Sequence, residues 1–153
     1  MESALFWGKI ILQSEDKIRK KAVDTEPDEI LKEGLKLNKD NIKDIVKYVA
    51  RIADRKGAEY INILEMKNRL VITDFFVIIG AKNIKLTAAL EDEIKFRLKK
   101  YGFSPLHMAG LTEGNWILID FNDFVIHIFT EEFRQFYDLE RLWKDSKVID
   151  WKQ

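Results

Sequence analysis

Acid–base, metal and nucleophilic chemistry would have to come from a short list of side chains in this sequence. There is no cysteine, which excludes thiolate zinc, iron–sulfur clusters, disulfides and a cysteine nucleophile. His107 and His127 are the only histidines, and they fall in separate strand-like runs without the paired spacing of a metal site. No metal or other cofactor is expected. Asp120 and His127 flank a turn so that strand alternation makes them diagonal neighbours on one face, with Asp74 or Asp123 as a second carboxylate. A carboxylate beside an imidazole can move a proton, so a degenerate nucleotidyltransferase-like or hydrolytic enzyme using Asp74, Asp120 and His127 is the alternative reading. No activated nucleophile or oxyanion loop accompanies the pair, and buried polar residues commonly hydrogen-bond for structural reasons. The structural role is therefore the preferred one. The seven glycines are scattered, and none forms a phosphate-cradling G-x-G-x-x-G or G-x-x-x-x-G-K loop.

Large aromatic side chains offer a different kind of function. Trp116 sits on the face of the hairpin opposite the evident core, and Tyr137 and Trp143 follow in the next segment, with Arg134 and Arg141 among them. Tryptophan, tyrosine and arginine are the favoured anchors of protein interfaces. The competing expectation is a second small core on that face, which for Trp143 is about as good. Self-association through the same rings, giving a homodimer when free, is compatible with this pattern.

These residues depend on elements that the pattern of the chain defines. Ile42, Ile45, Val46, Val49, Ile52 and Ala53 recur at helical spacing, with Asp40 as the expected cap and Gly57 as the stop. Tyr60–Leu64 reads as a short strand and Leu70–Ile79 as a longer one, apolar throughout most of its length and so central to a sheet. A second helix is predicted from Ile84 to Tyr101, with Asn83 as cap, Leu86, Leu90, Ile94 and Leu98 as its buried stripe, and Gly102 as stop. A short edge strand at Leu106–Ala109 follows Pro105. Trp116–Phe121 and Phe124–Phe129 then flank Asn122-Asp123 as an antiparallel hairpin. Ile117, Ile119, Phe121, Phe124, Ile126 and Ile128 form its core face, and Trp116, Leu118, Asp120, Val125, His127 and Phe129 the other. Thr130 caps a short helix ending near Tyr137. The order describes an α/β domain with a mixed β-sheet flanked by helices.

Residues 38–153 make up this domain, and residues 1–37 read as an N-terminal extension, helical or flexible. Glu2 stands where a secretion signal needs positive charge, and the acidic residues from Glu15 to Glu33 are unlike a transit peptide. A cytoplasmic location is expected. No apolar run approaches the roughly 18 residues of a membrane span. Charge balances, with 26 lysines and arginines against 26 aspartates and glutamates. A protein that neutralises many phosphates usually carries a basic surplus, so little or no direct nucleic-acid binding is expected. The run Lys95–Lys100 (KFRLKK) is the one basic patch, and its ordinary reading is a solvated helix face.

The string Ile72-Thr73-Asp74-Phe75-Phe76-Val77-Ile78, followed by Trp116, Leu118, Asp120, Asp123, His127 and Phe129 in a W-x-L-x-D-x-x-D-x-x-x-H-x-F pattern, resembles the ribosomal silencing factor, or Iojap-like, family. The likeness continues through Glu131-Glu132, Arg134, Phe136-Tyr137-Asp138-Leu139-Glu140 and Leu142-Trp143, and includes Arg55-Lys56-Gly57-Ala58-Glu59. It implies a sheet similar to the nucleotidyltransferase fold without that fold's catalytic glycine-serine pair and carboxylates, hence a non-enzymatic protein. It implies a translational repressor that binds the large ribosomal subunit through a ribosomal protein on the subunit-joining face and blocks the small subunit. Trp116, Tyr137 and Asp138 match the family's partner-contacting positions, with Glu140 and Arg141 beside them. The sequence departs from the family pattern in three places: Gly80-Ala81-Lys82-Asn83 replaces a hydroxyl-rich loop, Ala109 a common glutamate, and Asn122 a turn glycine.

Overall fold

The computed structural model describes residues 37–66 and 73–152. Residues 1–36, and the part of the expected Leu70–Ile79 strand up to Ile72, lie outside the described residues. In chain order the elements are α1 (Ile42–Lys56), β1 (Tyr60–Glu65), β2 (Phe75–Ala81), α2 (Ile84–Lys99), β3 (His107–Ala109), β4 (Trp116–Asp120), β5 (Phe124–Thr130), α3 (Glu131–Tyr137), α4 (Leu139–Leu142) and β6 (Lys147–Val148).

The strands form one six-stranded sheet in the order β3-β4-β5-β2-β1-β6. Among the described residues only β2 and β5 pair in parallel, with Ile78 opposite His127; the other four pairings are antiparallel. The sheet is therefore mixed, as expected, and β2 is central. The parallel pair has a physical cause: α2 lies between β2 and the later strands and carries the chain across one face, as a parallel connection requires.

On that face α1 and α2 press the expected stripes into the main core. Ile45, Val46, Val49, Ile52 and Ala53 of α1 and Leu90, Ile94 and Leu98 of α2 are buried against Val77, Ile79, Ile117, Ile119, Phe124, Ile126 and Ile128. Gly57 ends α1 with φ of 96°, a left-handed conformation that a side chain would strain. The start of α1 is capped by Asn41, whose side chain accepts the Lys43 N–H, and not by Asp40. Asp40 instead belongs to the turn before the helix, its own N–H donating to Asn38 Oδ1. Asn83 caps α2 as expected, accepting from the Leu86 N–H at 2.9 Å. Thr130 occupies the cap position of α3 without a side-chain capping bond. Leu37, the last residue assigned to the extension, packs against the main core.

The β4–β5 hairpin has the expected register: Trp116 faces Phe129, Leu118 faces His127 and Asp120 faces Val125. Asn122 takes the turn's left-handed conformation, φ 74°, which explains how it can stand in for a glycine. The segment Gly80-Ala81-Lys82-Asn83 is barely a loop, because β2 runs to Ala81 and Asn83 is already the cap of α2. Two elements escaped the sequence patterns, α4 and β6. One is four residues long and the other two, too short to show any periodicity, and β6 exists through its pairing with Leu64 and Glu65.

Candidate functional site

The face opposite α1 and α2 is itself packed. Leu64, Met66, Ile78 and Phe129 are buried there, and Tyr60, Phe76, Trp116, Phe133, Leu139 and Trp143 pack onto them. This corrects the expectation that Trp116 stands on an open sheet face: its indole is half-buried, stacked on Phe129 at 5.0 Å and in contact with Tyr137 at 4.7 Å. Trp143 belongs to the same small core, edge-on to Phe76 at 6.3 Å. The cause is α3 and α4, which return over β1, β2 and β5 and lay Phe133 and Leu139 on the sheet.

The indole N–H of Trp116 donates to His127 Nδ1 at 3.1 Å. An indole nitrogen can only donate, so Nδ1 is the unprotonated nitrogen and the imidazole proton resides on Nε2. Burial pushes the His127 pKa down to about 3, so the ring is a neutral acceptor at physiological pH. Asp120 is also buried, and its Oδ1 accepts from the backbone N–H of Asn122 at 2.8 Å, holding the hairpin turn. The Asp120–His127 acid–base pair is therefore not formed, each side chain being turned to a different structural partner. Asp74 contributes backbone bonds, its N–H to the Asp123 carbonyl at 2.9 Å and its own carbonyl to the Met66 N–H at 2.6 Å. Among the described residues no group of three or more His, Asp and Glu side chains could hold a metal ion.

Trp116 and Tyr137 meet where β4 begins and α3 ends. Asp138 follows, exposed and left-handed with φ of 42°, so the chain bends there into α4. Its N–H donates to the Arg134 carbonyl at 2.9 Å and its carbonyl accepts from the Arg141 N–H at 3.1 Å. Arg141 projects from α4 and is exposed. Glu140 points the other way: its Oε2 accepts from the Tyr60 hydroxyl and from Asn62 Nδ2 at 3.0 Å, both on β1. The structure thus gathers Trp116, Tyr137, Asp138 and Arg141 at one corner and turns Glu140 into the molecule.

Sequence reasoning overlooked two apolar side chains there, Phe136 and Leu142, which are 79% and 71% exposed. Spacing gave no signal for the first, because Phe136 is three residues after Phe133 and so lies at the edge of the same helical arc as Phe133 and Tyr137. Two of the four basic residues in the run Lys95–Lys100 are paired within their own helix, Lys95 with Glu91 and Arg97 with Glu93, both at 2.7 Å.

The family model for ribosomal silencing factor during starvation matches residues 39–153. The chain belongs to the ribosomal silencing factor family. The ribosomal silencing factor of Bacillus subtilis is 36% identical over 110 residues, covering 72% of this chain and 93% of that protein. The corresponding factor of Halalkalibacterium halodurans is 31% identical over 108 residues, covering 71% and 92%. A crystal structure from Bacillus halodurans superposes with a TM-score of 0.62 at 29% identity, covering 71% of this chain and 98% of that one. For this silencing-factor chain, the matched region includes every described element and the whole Trp116–Arg141 corner.

Proposed function

We propose that the chain is a translational repressor of the cytoplasm that docks on the large ribosomal subunit and sterically prevents the small subunit from joining. The observation that carries the reading is the family match across residues 39–153. The docking surface in this reading is the corner formed by Trp116, Tyr137, Asp138 and Arg141, extended by the exposed Phe136 and Leu142, and the partner is a ribosomal protein on the subunit-joining face. Exposed rings beside a carboxylate and a guanidinium suit a protein partner with an apolar patch and a basic group for Asp138. Balanced net charge supports docking on protein more than on RNA, since phosphate neutralisation calls for a cationic surface. The mechanism is occupancy. The acid–base pair that an enzymatic reading would use is not assembled.

Gradient sedimentation of a lysate tests the proposal: the chain should travel with free large subunits and be absent from joined ribosomes. Added in excess to purified subunits, it should lower the joined fraction, and co-sedimentation with joined ribosomes would defeat the reading.

A further inference from the structure

Two very short helices carry the proposed docking corner, and neither can hold itself. α3 has seven residues, α4 has four, and neither buries a residue completely; isolated helices of fewer than about 12 residues are marginal in water. Besides Phe133 and Leu139, which pack on the sheet, a cluster of polar groups fixes them. Arg134 lays its guanidinium over the Tyr60 ring at 3.8 Å and pairs with Glu131 at 2.8 Å. Glu140 accepts from Tyr60 and Asn62 and lies 4.0 Å from Arg134. Glu131 fits because Gly80 has no side chain: a Cβ there would fall 2.0 Å from Glu131 Oε1. Both helices are thus tied to β1 and β2 on either side of the Asp138 bend.

We infer that Tyr60, Arg134 and Glu140 form a positioning clasp that sets the angle of the α3–α4 elbow, so that Glu140 serves large-subunit binding by presenting Tyr137 and Asp138 and not by touching the partner. The inference rests on the proposed docking function. Tyr60 is suited to the task, since burial first, and then the Glu140 carboxylate, raise its pKa to about 12 and keep the hydroxyl a donor. The negative charge of Glu140 strengthens the bonds it accepts.

The test uses the full chain and the variants Tyr60→Phe, Glu140→Ala, Glu140→Gln and the Tyr60→Phe/Glu140→Ala double. Wild-type affinity for purified large subunits is measured first; no binding defeats the docking reading and this inference with it. Given wild-type binding, each of Tyr60→Phe and Glu140→Ala should weaken it roughly three- to tenfold. The double variant should be no weaker than Glu140→Ala alone, because the two groups act through one bond. Glu140→Gln, which keeps an acceptor oxygen, should recover part of the loss. Amide hydrogen exchange on the free protein should quicken across residues 131–143 and stay unchanged in β2 and β5. A Tyr60→Phe variant that binds like the wild type while Glu140→Ala fails would mean that Glu140 meets the partner directly, overturning the clasp. Exchange that quickens through the whole sheet in both Tyr60→Phe and Glu140→Gln would overturn it too, as a general loss of stability.

Discussion

Burial keeps the His127 imidazole neutral, and that ties stability to pH. Its pKa is about 3 in the folded protein against 6.5 for an ordinary histidine, so the unfolded chain takes up a proton that the native one refuses. The His127 contribution is fully present above pH 6.5 and is lost as pH falls from there toward 3. At pH 5 the loss amounts to about 2 kcal/mol. Denaturant titrations should show it, and His127→Gln should flatten the curve between pH 7 and pH 5. The imidazole resonances of His127 should not titrate between pH 5 and pH 8. Its neighbour predicts a contrast between two ring deletions. Trp116→Ala removes the stack on Phe129 and leaves His127 Nδ1 without its donor, so it should lower stability by about 2–3 kcal/mol. Tyr137 is 43% exposed, and Tyr137→Ala should cost less than about 1 kcal/mol of stability. If the ring is an interface anchor, the same change should weaken large-subunit binding roughly 30-fold. Melting curves and affinity measured on both variants separate the effects, and equal binding by Tyr137→Ala and wild type would remove Tyr137 from the interface.

Connections between elements carry their own sensitivities. Gly110, between β3 and β4, has φ of 80° and approaches the Trp116 carbonyl so closely that an added Cβ would lie 1.8 Å from that oxygen. Gly110→Ala should therefore cost more than about 2 kcal/mol, lowering the melting temperature by roughly 10 °C and disturbing Trp116 through its own backbone. Asn41→Ala is the milder counterpart, removing the one side-chain cap of α1 at a cost of about 1 kcal/mol without touching the docking corner. Its effect on melting, compared with Asp40→Ala, tests which residue caps the helix.

For the molecule as a whole, the two faces of the sheet divide the work. The face under α1 and α2 holds the larger core, built between Leu37 and Trp151, while the other face supports the α3–α4 corner on a smaller cluster. A chain beginning at residue 37 keeps Leu37 on the main core and every capped, periodic element from Asn41 onward. It should melt cooperatively and keep the circular dichroism of a mixed α/β domain, and an insoluble or molten product would show that residues 1–36 complete the core.

Much of this was legible in the order of the residues. The stripe from Ile42 to Ala53, the Asn83 cap and the alternation through Trp116–Asp120 and Phe124–Thr130 are local signals, because helix and strand periods follow from backbone geometry alone. They yielded the mixed α/β class, the hairpin register and the two faces. Where the chain returns was not local. Where α3 and α4 fold back over the sheet, Tyr60 meets Glu140, 80 residues away, and Glu131 sits where Gly80 leaves room. Neither pairing leaves a periodic trace. For the same reason an imidazole placed diagonally to Asp120 by alternation turned out to serve Trp116 across the hairpin. A face assignment says which side a group lies on, while its partner is set by whatever packs against that side.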